Sequence, residues 1–536
     1  ALVFDIAASE GLIFGSAFSS GNASVSYALG KLGSVLYNGG LSTGTHTVKS
    51  VTLDCGDASQ TGKAVLSRKL IGFTSSSQTF SFTADGVTAQ DSAGAAITAA
   101  AGTPSLSAAV GPYAFEKKDD GYYVSWVAYG DAAVYARTLA EAAADWSAAD
   151  AWTVGDAAAE APQSGSETML TVNADAALTM NDAASVGALT IAGSGKLTFA
   201  ADGDSTHTLT ASSTAVNTDV DASAGVASLG AVTVAEGKTL TMATQVFTSL
   251  AGAGTLVYTA AQAADEWSGY DFPAAFTGAL RVTKGNLVFE KTSNQNDNVY
   301  PQQASVTLSG ADAKMTLKVV DATGWGTPSN QKRLAVEDGA TLAVEKRDSF
   351  NMPLVLKSGK VTFSADDLDS GRSLDMLGNA TVTSSGESEM GGASATEDSE
   401  TGDRIVNSGK IAIRRSNLPI EVTDGELNVY ASLTTAAGFG GALIKRGAGT
   451  LTLFREATSA LPVSVEEGTL RLTNKGQASA SGALTIAENA RLEVNTAKET
   501  YTQTVTNALS GAGAVEKTGA GAAKLSGNLS GFTGTI

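Results

Sequence analysis

Apolar residues along this chain recur two positions apart, in short runs that come in pairs around a turn. The unit reads apolar-x-apolar, then two polar or small residues and usually a glycine, then apolar-x-apolar. Compact copies stand at residues 280–289, 354–363, 420–429 and 463–472, turning at Gly285, Gly359, Gly425 and Gly468. A form one residue longer stands at 232–242 around Gly237 and at 334–344 around Gly339. Residues 170–180 and 484–494 keep that spacing with Asp175 and Asn489 at the turn. Both residue types tolerate the left-handed backbone expected there. Residues 189–199 and 306–317 are looser copies.

The pattern predicts strands with one apolar face and one face of Thr, Lys, Glu or Arg. Several units start about 20 residues apart and others near multiples of that, which fits a coil of about 20–22 residues. One such coil leaves its apolar face uncovered, so successive coils must stack. The expected fold is therefore all-β, a parallel β-solenoid over residues 165–536. Roughly 17 coils at about 4.8 Å each would make a rod of about 80 Å.

Residues 1–135 do not follow the motif and predict a separate N-terminal β-rich domain, a sandwich among its options. The stretches 1–6, 11–14, 48–53, 69–73 and 79–83 are strand candidates, and 113–126 predicts a hairpin turning at Asp120-Gly121. Its aromatics are expected as cross-strand core pairs, with sugar stacking the alternative. Residues 136–164 predict a connector or cap for the solenoid. Within them 137–151, alanine-rich with Leu139 and Trp146, predicts a short helix or a capping turn, and Trp152 follows. The acidic, small-residue stretch 386–403 predicts a projecting loop.

Composition narrows the function classes. The 536 residues hold 59 Gly, only 9 Pro and 17% charged residues, a mix for short strands and tight turns. A formal charge of −19, with no basic stripe, argues against nucleic-acid binding. Cys55 is the single cysteine, so neither an intrachain disulfide nor a multi-cysteine zinc site can form. No apolar run is long enough for a transmembrane helix. The chain opens at Ala1 without Met, as after signal cleavage or trimming, and ends inside a strand pattern, so it is expected to continue past Ile536.

One stretch carries a family resemblance. Leu443-Ile-Lys445-Arg-Gly447-Ala-Gly449-Thr-Leu451-Thr-Leu453, followed by Val465-Glu-Glu-Gly468-Thr-Leu470-Arg-Leu472, resembles the autotransporter-associated β-strand repeat. A second copy begins at Ala251-Gly-Ala-Gly254-Thr-Leu256. A third begins at Val515-Glu-Lys517-Thr-Gly519-Ala-Gly521, where Ala522-Ala-Lys524 replaces the usual Thr-Leu-Thr. The resemblance covers about 165–536. It implies a right-handed parallel β-helix passenger exported to the cell surface, adhesive or structural, with no catalytic residues to carry over.

Candidate chemistry is sparse. His46 and His207, the only histidines, sit between threonines and read as structural. Gly40-Leu-Ser42-Thr-Gly44 has the spelling of a nucleophile elbow but runs on into a strand, not the helix an elbow needs. Gly237-Lys238-Thr239 and Gly193-Ser-Gly195-Lys196 echo phosphate loops without their full glycine and hydroxyl set, and read as turns. Asp366, Asp367 and Asp369 before Gly371, or Asp202 and Asp204, could bind Ca²⁺ in a loop. Asp367 and Asp369 are also the acids a β-helix polysaccharide lyase or glycosidase would use. A solvated turn is the plainer reading of both groups, and no cofactor is expected.

The expected function is non-enzymatic: an extracellular or bacterial cell-surface rod acting as spacer, adhesin or self-assembling fibre subunit. The apolar opening with Leu2, Val3, Phe4 and Ile6 is a candidate strand for addition to another copy of the chain. The rival readings are a module binding surface glycans or host molecules through residues 1–135, and the polysaccharide-degrading enzyme.

Overall fold

The computed structural model describes residues 2–6, 11–14, 25–29, 34–37, 45–56, 63–73, 81–84, 86–91, 93–97, 101–104, 112–118, 121–129, 134–148, 151–154, 157–159, 161–162, 164–203, 206–268, 275–291, 305–319, 333–345, 348–363, 373–393, 405–406, 409–435, 439–455, 457, 460–477, 479 and 481–536. Among these there are many strands and no helix, and the largest sheet joins 27 strands by parallel pairing, consistent with a β-solenoid. The chain divides into two compact units: residues 1–218 with 226–232, and residues 219–225 with 233–536.

In the first unit, parallel stacking begins at the N-terminal strands. Strands β1 (Leu2–Ile6), β3 (Val25–Leu29) and β5 (Thr45–Asp54) pair in parallel. So do β2 (Gly11–Phe14), β4 (Ser34–Tyr37) and β6 (Lys63–Phe73). A sandwich of antiparallel sheets would pair otherwise. Among the described residues antiparallel pairing is confined to a few places, chiefly the expected hairpin, Tyr113–Lys118 with Gly121–Tyr129, which adds to β6. Residues 119 and 120 of its turn lie outside the described residues.

The described residues of 137–151 form no helix. Val134–Leu139 is a strand that pairs in parallel with Glu167–Val172, and Ala143–Asp145 pairs with Ala176–Met180. The alternation of buried Tyr135, Arg137 and Leu139 overrides the helix preference of the alanines. Beyond them, Ala184–Gly193 and Leu209–Asn217 continue one stack and Leu197–Ala201 the other. Leu170, Val172, Leu178, Met180, Ile191, Leu197 and Phe199 fill the interior between them, fully buried.

The second unit repeats this with two long columns of parallel strands. In the first column, Leu280, Val306, Leu334, Leu354, Val382 and Ile420 stand in register from coil to coil. In the second, Leu427, Leu451, Leu470, Leu492 and Val515 do the same. The first four of this second set are fully buried and Val515 nearly so. In-register apolar ladders are the stacking the sequence pattern calls for, because each residue covers its counterpart one coil away.

Two expectations change. Residues 387–390 are not loop but a strand, Glu387–Met390, whose Ser388 and Met390 are buried; a serine at an inward position hid the apolar period. Residues 394–404 of that stretch lie outside the described residues. Asp175 and Asn489 do not adopt the left-handed backbone, which among non-glycine residues falls instead to Asp338, Ser358 and Asn474. Asp175 instead ties its turn to the next coil, its Oδ1 accepting from the Lys196 amide at 2.8 Å.

Candidate binding cleft and interior polar groups

Among the described residues, those singled out in the sequence do not assemble into a site. Asp366, Asp367, Asp369 and Asp204 lie outside the described residues, and Asp202 is exposed in the turn after Leu197–Ala201. Among the described residues no three His, Cys, Asp or Glu side chains converge as metal ligands would. His46 lies on β5, in register with Val25 and Phe82, and His207 precedes Leu209–Asn217. Ser42 is outside the described residues, but residues 45–54 are a strand, which an elbow nucleophile could not precede. Residues 193–196 and 237–239 are turns between strands, the latter anchored where Asp219 Oδ1 accepts from the Thr239 amide at 2.9 Å. Leu2, Val3, Phe4 and Ile6 lie on β1, which is paired along its length with β3. Cys55 is buried, and burial, helped by Asp54, pushes its thiol up to about 11, far from a reactive thiolate.

What the structure does gather is a cleft of about 490 Å³ in the first unit. The hairpin supplies Lys118 and Tyr123 to it, the coil turns supply Trp146, Ser164 and Asp182, and the start of the strand Ala184–Gly193 supplies Ser185. The Lys118 ammonium stands 4.6 Å from the centre of the Tyr123 ring, a cation–π distance. Tyr123 and Trp146 are almost wholly buried, so they form a floor and not an exposed platform. That floor is braced from beneath. Trp146 packs 4.8 Å from Trp152, whose indole donates to the Trp146 carbonyl at 2.9 Å. Arg137 lies over the Trp152 ring and donates to the Asp145 carbonyl at 2.6 Å. The sequence showed the aromatics but not the cleft, because hairpin and coil turns meet only in the folded chain.

In the second unit two polar features break the apolar and threonine pattern. Lys445 stands in the first column between Ile420 and Val465, an inward position, and is fully buried. Its ammonium donates to the carbonyls of Arg446 (2.8 Å), Gly447 (2.6 Å) and, one coil on, Glu467 (3.0 Å). Burial pushes this amine down to about 8, against the pull of Glu467 and Glu421. On the outward face of the second column, Arg471 reaches past the intervening coil of Thr450–Leu453 to Glu426 on one side and to the next coil on the other. It donates at 2.9 Å to both carboxylate oxygens of Glu426 and at 2.9 Å to Glu493. Thr518 adds a 2.6 Å bond to Glu493. Both features tie coils together and neither presents a reactive group to solvent. The lysine of the repeat motif was the one sequence signal for the first; for the second there was none.

Comparison of the chain with family models, with curated proteins and with solved structures finds no match.

Proposed function

We propose that this chain is a non-enzymatic structural protein of the bacterial surface or the extracellular space. Its coils form a right-handed parallel β-helix whose job is mechanical: a stiff rod that spaces, displays or joins. The observation that carries the reading is the pair of in-register, buried apolar columns in the second unit, running from Leu280 to Ile420 and from Leu427 to Val515. A structure built by repeating one stacking contact has length as its main product. The resemblance of residues 443–472 to the autotransporter-associated repeat supports export and surface display.

Two measurements test this. Electron microscopy of the purified protein should show slender rods, joined into fibres where the chain is an assembly subunit and separate where it is a spacer. Compact globular particles would refute the reading. In cells of the source bacterium, protease added outside should digest the protein while a cytoplasmic marker survives; protection equal to the marker's would refute surface location.

A further inference from the structure

We propose that the cleft over Trp146 in the first unit binds a neutral sugar residue, giving the rod a glycan-recognition site. Lys118 and Asp182 both line the cleft, so its two formal charges cancel. An anionic ligand such as a uronate would meet the Asp182 carboxylate in a chain already carrying −19. A cation would meet Lys118. A neutral ligand rich in hydroxyls meets neither penalty and can use both groups: Asp182 accepts from a hydroxyl, and Lys118 donates to one.

The remaining wall agrees with that class. Ser164 and Ser185 are exposed hydroxyls that can donate and accept, the reciprocal of what a sugar ring offers at its rim. Under them, Tyr123 and Trp146 close the bottom of the cleft, almost wholly buried, so a ligand is met by the rim hydroxyls and the two charged groups and not by a ring face. The volume lies within the usual range for small-molecule sites, about 300–1,000 Å³, and leaves room for a mono- or disaccharide. The floor is also rigid: Trp146 is held by its amide bond to the Thr179 carbonyl (2.9 Å) and by its packing on Trp152. Rigidity reduces the ordering cost of binding.

The test uses the full 536-residue chain on immobilised neutral disaccharides (lactose, maltose, cellobiose and chitobiose), with a uronate disaccharide alongside. Wild-type protein should be retained by at least one neutral disaccharide and not by the uronate. Ser185→Trp, which fills the cleft from an exposed strand position, should abolish retention. Asp182→Asn, on the exposed turn, should weaken it at least fivefold. Both variants should keep the wild-type far-ultraviolet circular dichroism. Absence of retention on every neutral disaccharide, preference for the uronate, or retention that survives both substitutions would overturn the proposal. None of these outcomes alters the micrographs that judge the rod, so the two readings fail separately.

Discussion

Replacing Lys445 by methionine isolates the most unusual contact in the second unit. The side chain is fully buried in a column otherwise held by Ile420 and Val465, so methionine fits the position by volume and polarity. The cost is three carbonyls, of Arg446, Gly447 and Glu467, that lose their donor. At about 2 kcal/mol for each unsatisfied group, that is roughly 6 kcal/mol. Against it stands the relief of not burying a charge. An amine pushed from 10.5 to about 8 gives up about 3 kcal/mol of protonation free energy in the fold. The orphaned carbonyls win, leaving a net loss of about 3 kcal/mol.

A stacked array opens locally, so the assay must be local too. Amide hydrogen exchange at pH 7, read by mass spectrometry, should show peptides within 442–472 exchanging about a hundredfold faster in Lys445→Met. Peptides within 170–201, in the other unit, should not change. Unchanged or slower exchange over 442–472 would show that desolvation outweighs the carbonyl contacts, and would refute the reasoning.

Three further outcomes follow from the same contacts. Because the folded amine of Lys445 lies below its unfolded value, its stabilising contribution is complete above 10.5 and lost as pH falls through 8. The stability gap between wild type and Lys445→Met should therefore widen by up to about 3 kcal/mol from pH 7 to 10.5, read as guanidinium midpoints. Gly468→Ala should cost about 2–5 kcal/mol, since its Cβ would stand 2.3 Å from the Gly447 carbonyl of the preceding coil, in a left-handed backbone. Gly237→Ala, equally left-handed but with open space around it, should cost only about 1–2 kcal/mol; equal losses in thermal melts would refute the stacking argument. Burial raises the carboxyl of Glu493, but the bonds from Thr518 and Arg471 outweigh that and hold it below its ordinary value. The stability it adds is present above the unfolded value near 4.5 and is lost as pH falls through the lower folded one. Between pH 5 and 3 wild type should lose about 1 kcal/mol more than Glu493→Gln, measured by urea unfolding.

Much of the second unit was legible because its signal is local and repeated. Apolar residues two apart, a short turn, and the same pattern again identify strands such as Leu427 and Val429 or Leu470 and Leu472 without any knowledge of their partners. Several N-terminal strands, among them 1–6 and 11–14, were legible too, but their parallel stacking was not, for the opposite reason. β1, β3 and β5 begin at residues 2, 25 and 45, intervals of 23 and 20, close to the coil period. Yet the linkers between the two sets of strands vary from four to eight residues and the flanking strands do not keep the compact repeat unit, so the spacing was present and the motif was not. The alanines at 143 and 144 and the serine of 388 misled in a related way, since propensity and hydropathy describe a residue and not its place in a column.

The sequence by itself determined that this chain is all-β and that its strands come in repeated pairs, because a period of two and a turn are properties of neighbours along the chain. Only the tertiary structure decided that Lys445 lies inside, that Arg471 joins three coils, and that Lys118, Trp146 and Asp182 border one cleft. Those facts depend on register between coils some 20 to 45 residues apart, and on loops whose lengths the repeat does not constrain. Stacking converts distance along the chain into contact across it, and no local pattern records where that contact will fall.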